Sequence, residues 1–142
     1  MPAVYDKLGI RFQYPDNWTL DESAALAGER SVSVHSPGGA FWSIVLHDPD
    51  TDPGELAAAA LEALQAEYRD SESEAVHEQI GQHAIEGYDL NFFYLDFTNT
   101  ALIRAFRTSS GVSLVLCQAE DNELNVLGPV FRAITASLLA SE

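Results

Sequence analysis

Residues 87–119 read GYDLNFFYLDFTNTALIRAFRTSSGVSLVLCQA. Three strand-like runs follow one another in this stretch. Gly87–Thr98 is long and rich in Phe and Tyr, and Ala101–Ser109 and Val112–Ala119 complete the series. Aromatic and β-branched residues suit a pleated, packed surface. The short breaks at Thr98-Asn99 and Ser110-Gly111 predict tight hairpins, so the second half of the chain reads as an antiparallel meander.

The preceding residues supply the rest of a sheet. Ile10–Tyr14 is a first strand with Phe12 and Tyr14 on one face, and Pro15-Asp16-Asn17 is a turn. Trp18 and Leu20 open a second short strand, and residues 22–29 form an Ala-rich connection. Arg30–Ser36 alternates, with Val32 and Val34 inward. Phe41–His47 carries apolar residues on both faces, which predicts a strand covered on both sides. Glu72–Ile80 and His83–Ile85 read as short polar strands around Gly81.

Two helices are expected against this sheet. Asp52 is placed as N-cap, Pro53 as the first helical residue and Glu55 three residues past the cap. Leu56, Ala60, Leu64 and Tyr68 then form a stripe widened by Leu61, and the helix ends near Arg69. Leu124, Leu127, Phe131, Ile134 and Leu138 recur at helical spacing near the C-terminus. Gly128-Pro129 interrupts that pattern, and a start near Asn122 with a bend is expected. Two helices on a mostly antiparallel sheet with two apolar faces make an α+β layered sandwich. The 142 residues are read as a single domain.

Charge excludes several functions. Seven Lys and Arg stand against 22 Asp and Glu, a formal net charge of −15. That argues against a nucleic-acid surface, whose affinity comes mainly from neutralised phosphates, and against anionic lipid. No run approaches the length of a membrane span. The start Met1-Pro2-Ala3-Val4-Tyr5-Asp6 lacks the basic and apolar regions of a leader. The lone Cys117 sits in an apolar run and reads as a buried strand residue. A cytoplasmic protein is expected.

No nucleophile, zinc or phosphate-loop motif occurs, so no catalytic residue, metal or cofactor is assigned. The closest histidines, His77 and His83, do not have a parity that places them on one face. Asp48, Asp50 and Asp52 alternate like the start of a calcium loop, but Pro53 stands where the loop requires glycine and Ala59 where it requires glutamate. Arg104 and Arg107 fall on opposite faces of one strand and form no joint anion clamp. Residues 48–89 hold 12 acidic groups and only one basic group, Arg69. Their reading is a solvated face that a basic partner would suit, through Asp48, Asp50, Glu62, Asp70, Glu72, Glu74 and Glu78. The aromatics Phe92, Phe93, Tyr94, Phe97 and Phe106 read first as a two-sided core. The alternative is a ligand groove drawn from Trp42, Phe93, Tyr94, Arg104 and Arg107.

The stretch Phe12-Gln13-Tyr14-Pro15-Asp16-Asn17-Trp18 resembles the F-x-Y-P-x-x-W opening of the PsbP-like and DcrB-like superfamily. Phe131, Ile134, Ser137 and Leu138 resemble its closing helix, and Gly87-Tyr88 its G-Y-x-hydrophobic strand. The resemblance spans nearly the whole chain and is strongest to uncharacterised bacterial members. It implies an α/β/α sandwich with a mostly antiparallel sheet flanked by two main helices. Its members include the extrinsic PsbP protein of photosystem II, a Ran-binding import factor, DcrB-like proteins and chaperones of type VI secretion effectors. They mostly bind proteins and share no catalytic motif, and this chain lacks the lipobox of DcrB. The expectation is a non-enzymatic protein-binding or chaperone-like module, monomeric or homodimeric, with an unidentified and basic protein partner. A small-ligand binder or enzyme using the aromatic sheet is the alternative.

Overall fold

The computed structural model of the chain describes residues 2–142; Met1, the first residue of the stretch read for a leader, lies outside them. In chain order the elements are β1 (Ala3–Lys7), β2 (Ile10–Tyr14), β3 (Thr19–Asp21), α1 (Ser23–Leu26), β4 (Ser31–His35), β5 (Phe41–His47) and α2 (Pro53–Glu67). They continue with β6 (Ser71–Ile80), β7 (His83–Tyr94), β8 (Phe97–Thr108), β9 (Gly111–Glu120) and α3 (Asp121–Ala140). Strands β3-β4-β5-β9-β8-β7-β6 form one seven-stranded sheet, and β1-β2 is a separate hairpin. Every hydrogen-bonded neighbour pair is antiparallel. The chain leaves β5, crosses the sheet as α2, and enters the far edge at β6. It then meanders back until β9 pairs with β5.

The layers follow from side-chain parity. Val32, Val34, Trp42, Ile44, Leu46, Ile85, Phe106, Val115 and Cys117 face α3 and the β1-β2 hairpin, where Phe12, Phe131, Ile134 and Leu138 meet them. Leu90, Phe92, Ala101, Ile103 and Ala105 face α2 on the opposite side. The arrangement is thus an α/β/α sandwich with an antiparallel sheet, as the resemblance implied.

Local chemistry explains α2. Asp52 Oδ2 accepts from Glu55 N at 2.9 Å, and Pro53 needs no donor partner in the first turn. The inward line differs from the predicted one. Ala57 is its fully buried member, and Ala60, Leu61, Leu64 and Tyr68 complete it. A small residue at the centre lets the helix axis lie close to Ile103 and Ala105. The last helix starts at Asp121 and runs to Ala140 with Pro129 inside it and no break.

Several boundaries move. The hairpin placed at Thr98-Asn99 turns at Leu95-Asp96, both with positive φ (50° and 67°), and Thr98 and Asn99 lie in β8. A leucine is an uncommon residue at such a turn, where Asn and Gly are the usual occupants. His83–Ile85 is no separate strand but the start of the twelve-residue β7. β1 was not expected, because Ala3-Val4-Tyr5-Asp6-Lys7 shows no two-residue alternation; Tyr5 alone is buried there, stacked on Phe12 at 5.4 Å. Leu8 and Gly9, both at positive φ, close it onto β2.

Candidate interaction surface at the β7–β8 hairpin

The meander leaves one end of the sheet with an apolar tip. Phe93 is 60% exposed, Tyr94 50%, Leu95 73% and Phe97 57%. Tyr94 and Phe97 are cross-strand partners, and Phe93 faces Thr98. The expected two-sided core is therefore correct for Phe92 and Phe106, which are buried, and wrong for Phe93, Tyr94 and Phe97. The reason is length. β7 and β8 run past the end of α2, where Tyr68 reaches back. Tyr68 stacks on Phe92 at 4.0 Å and meets Tyr94 edge-on at 6.0 Å. Burial raises the Tyr68 phenol above its ordinary pKa.

An acidic hollow adjoins the tip. Asp70, Ser71, Glu72, Asn91, Phe93 and Asp121 line part of a depression of about 260 Å³. Thr100 Oγ1 donates to Asp121 Oδ1 at 2.7 Å, which fixes the start of α3 beside it. Apolar side chains at a tip, ringed by carboxylates, make a surface that excludes water at its centre and selects positive charge around it.

The predicted acidic residues do not form one face. Asp48 and Asp50 lie in the β5–α2 loop, at one end of α2, and Asp70 follows its other end. Fifteen helical residues separate those ends by roughly 21 Å. Glu62 is on α2, whereas Glu72, Glu74 and Glu78 share the opposite face of the sheet on β6. Only Asp70 and Glu72 come together with Phe93.

The predicted groove is likewise dispersed. Trp42 is fully buried, with Nε1 donating to Thr135 Oγ1 at 3.0 Å. Arg107 Nη1 donates to the Pro49 carbonyl at 2.9 Å and holds the β5–α2 loop. Arg104 is 13% exposed and saturated. Its Nε and Nη2 contact Glu78 Oε1 at 3.1 and 3.0 Å, and Nη1 donates to the Tyr88 and Ile103 carbonyls. Asp89 Oδ1 lies 2.9 Å from Nη2 at an angle that gives an ion contact rather than a directed hydrogen bond. Arg132 of α3 completes the network through Glu78 Oε2 at 3.0 Å. Glu78 is thus a bridge between sheet and helix.

His77 and His83 border an open cleft of about 560 Å³ beside the start of α2, together with Asp52, Glu86 and Arg107. Among the described residues no three His, Cys, Asp or Glu side chains converge as metal ligands. A more apolar groove of about 510 Å³ runs between β2 and α3, lined by Tyr14, Pro15, Pro129, Val130 and Ile134.

Cys117 is buried under α3, and burial pushes its thiol well above the ordinary value of 9.0, with a small opposing effect from Arg104. A raised folded-state value leaves stability untouched by this group below pH 9. Above pH 9 the unfolded thiol ionises while the folded one stays protonated, so stability is lost as pH rises. The expected slope from this group is about 1.4 kcal/mol per pH unit. Urea midpoints of wild type and Cys117→Ala between pH 8 and 10.5 should differ by that slope. Equal slopes would show that the thiol ionises in the folded state.

No protein-family model matches the chain, and no curated protein matches it in sequence. Solved structures do match in shape. Cyanobacterial PsbP from Synechocystis superposes with a TM-score of 0.61 at 11% identity, covering 96% of this chain and 90% of that one. The fold is PsbP-like. PA94 from Pseudomonas aeruginosa, a protein of unknown function, gives 0.60 at 14% identity, covering 96% and 95%. LpqN of Mycobacterium tuberculosis, involved in cell envelope biogenesis, gives 0.52 at 16% identity, covering 94% and 86%. At these identities the likeness establishes the PsbP-like fold alone. Among the described residues no helix is long and apolar enough to cross a membrane.

Proposed function

We propose that this protein is a non-enzymatic, cytoplasmic protein-binding module whose β7–β8 tip docks a partner. The observation that carries this is the exposure of Phe93, Tyr94, Leu95 and Phe97 on one hairpin. Large apolar side chains left in water at one place mark interaction sites. Each is worth about 1.5–3 kcal/mol when fully buried. Leu95 sharpens the point. A leucine at positive φ costs about 1–2 kcal/mol that Asn or Gly largely avoids, and what it adds is an apolar side chain facing solvent. Asp70, Glu72, Asp96 and Asp121 around the tip, and the net charge of −15, favour a basic partner over a second copy of the chain.

The test is gentle purification of the tagged protein from its source cells. One partner at fixed stoichiometry is expected, with the Phe93→Ser/Phe97→Ser variant losing it by at least 30-fold. That follows from about 2 kcal/mol or more at an aromatic hot spot. Both positions are exposed, so the melting temperature should stay within a few degrees. Retention of the same partner by the double variant would overturn the assignment of the tip. A substrate turnover abolished by a single substitution would overturn the non-enzymatic reading.

A further inference from the structure

We propose that β6 is an open edge that accepts an extended, basic segment of a partner protein as an added strand. This deepens the protein-binding reading and rests on it, but it uses the main-chain edge of β6 rather than the aromatic side chains of the hairpin tip, with Glu72 shared between the edge and the hollow beside the tip.

The sheet has two edges, β3 and β6. β3 is three residues long and offers little to pair with. β6 is ten residues long, contains no proline, and pairs with β7 in unbroken register from Ser71 to Ile80. Edges of this length are ordinarily guarded by proline, a bulge or a covering element. Among the described residues none of these guards β6 from Ser71 to His77. Gly81-Gln82 is a two-residue loop, so Ile80 and His83 form a hydrogen-bonded pair. Alternation then points the main-chain groups of Ser71, Ser73, Ala75, His77 and Gln79 outward. A guanidinium already meets the end of this row: Arg132 Nη2 donates to the Gln79 carbonyl at 3.5 Å.

Charge is the remaining guard, and charge selects rather than blocks. Glu72, Glu74 and Glu78 share one face of the strand. In an antiparallel second copy centred on Ala75, Glu72 would stand opposite Glu78 at both ends. A shift of two residues would set Glu74 opposite Glu78 or against its own equivalent. Like charges directly opposite are destabilising, so these registers of self-pairing are disfavoured. A segment with Lys or Arg at alternate positions meets the same glutamates favourably. Main-chain bonds would supply affinity and the alternate side chains specificity. Glu78 is largely committed to Arg104 and Arg132, which leaves Glu72 and Glu74 as the selecting pair.

The probe is a capped ten-residue peptide alternating lysine and threonine, added to the full chain. Its controls are the glutamate-for-lysine peptide and the lysine peptide N-methylated at alternate residues. Expected is salt-sensitive binding of the lysine peptide alone, with amide exchange at Ser73, Ala75 and His77 slowed at least tenfold. Ala75→Pro removes an outward N–H and spares the β7 ladder, and should weaken binding at least tenfold. Glu72→Lys/Glu74→Lys tests the same edge without a backbone change and should weaken it similarly. Phe93→Ser/Phe97→Ser should bind the peptide as wild type does, so failure of the tip and failure of the edge are told apart. Absence of binding, equal binding of the N-methylated peptide, or binding unchanged in both edge variants would overturn the proposal.

Discussion

Gly87→Ala is expected to cost more than about 4 kcal/mol, a large share of a total stability of the usual size, about 5–15 kcal/mol. Gly87 lies mid-strand in β7, with Val76 on one side and Arg104 on the other. A Cβ there would meet the Ile103 carbonyl oxygen and carbon and Arg104 Cα, with the oxygen far inside contact distance. These are backbone atoms of β8, and Ile103 is fully buried against α2, so they cannot swing aside as a flexible side chain would. The methyl group must separate β7 from β8 or displace both from the sheet. Urea unfolding followed by circular dichroism checks this. A midpoint close to wild type would mean that the two strands do not approach this closely.

Trp42→Ala is expected to destabilise the protein by about 4 kcal/mol. The indole is completely buried, its ring centroid is 4.6 Å from that of Phe12, and its N–H is held by Thr135. Truncation empties the junction where sheet, β1-β2 hairpin and α3 meet. It also leaves the buried Thr135 hydroxyl without this donor. Trp42→Phe retains most of the apolar volume and loses the hydrogen bond, so about 1–2 kcal/mol is expected. Denaturant midpoints should therefore order wild type, Trp42→Phe, Trp42→Ala. A cost below about 1 kcal/mol for Trp42→Ala would contradict its place at the centre of the core.

Both residues were visible in the sequence for different reasons. Trp42 falls in a run apolar on both faces, and that pattern predicted the strand but not its cover: Trp42, Ile44 and Leu46 are buried beneath α3 and the β1-β2 hairpin, whereas Phe41 and Val45 on the other face are only half-buried, because α2 packs on β7, β8 and β9 instead. Gly87 stood out only through the resemblance of Gly87-Tyr88 to a family motif, since spacing carries no trace of a neighbouring carbonyl. The turn at Leu95-Asp96 was misplaced because Leu95, at its first position, is not a habitual turn former, whereas Thr98-Asn99 looked like a turn. β1 was missed because Ala3-Val4-Tyr5-Asp6-Lys7 has no two-residue alternation to mark a strand with one buried face.

The candidate surface was legible only in fragments. Aromatic density in residues 92–97 was apparent, but local pattern cannot separate a side chain under a helix from one beyond its end. Acidic density in residues 48–89 was also apparent. That density is distributed by topology: α2 carries Glu62 to one side, β6 turns Glu72, Glu74 and Glu78 to the other, and the ends of α2 hold Asp48 and Asp70 apart.

By itself the sequence determined the strands with clean two-residue alternation, the capped start of α2, the apolar line of α3 and the α+β class. Those features depend on neighbours a few residues away, and local stereochemistry fixes them. Tertiary structure alone decided that Arg104 is held by Glu78 and Asp89, that Phe93, Tyr94, Leu95 and Phe97 of the hairpin tip stand in water, and that β6 is an edge. Each depends on which strand lies beside which and where a helix ends above the sheet, relations between residues up to tens of positions apart that no local pattern encodes.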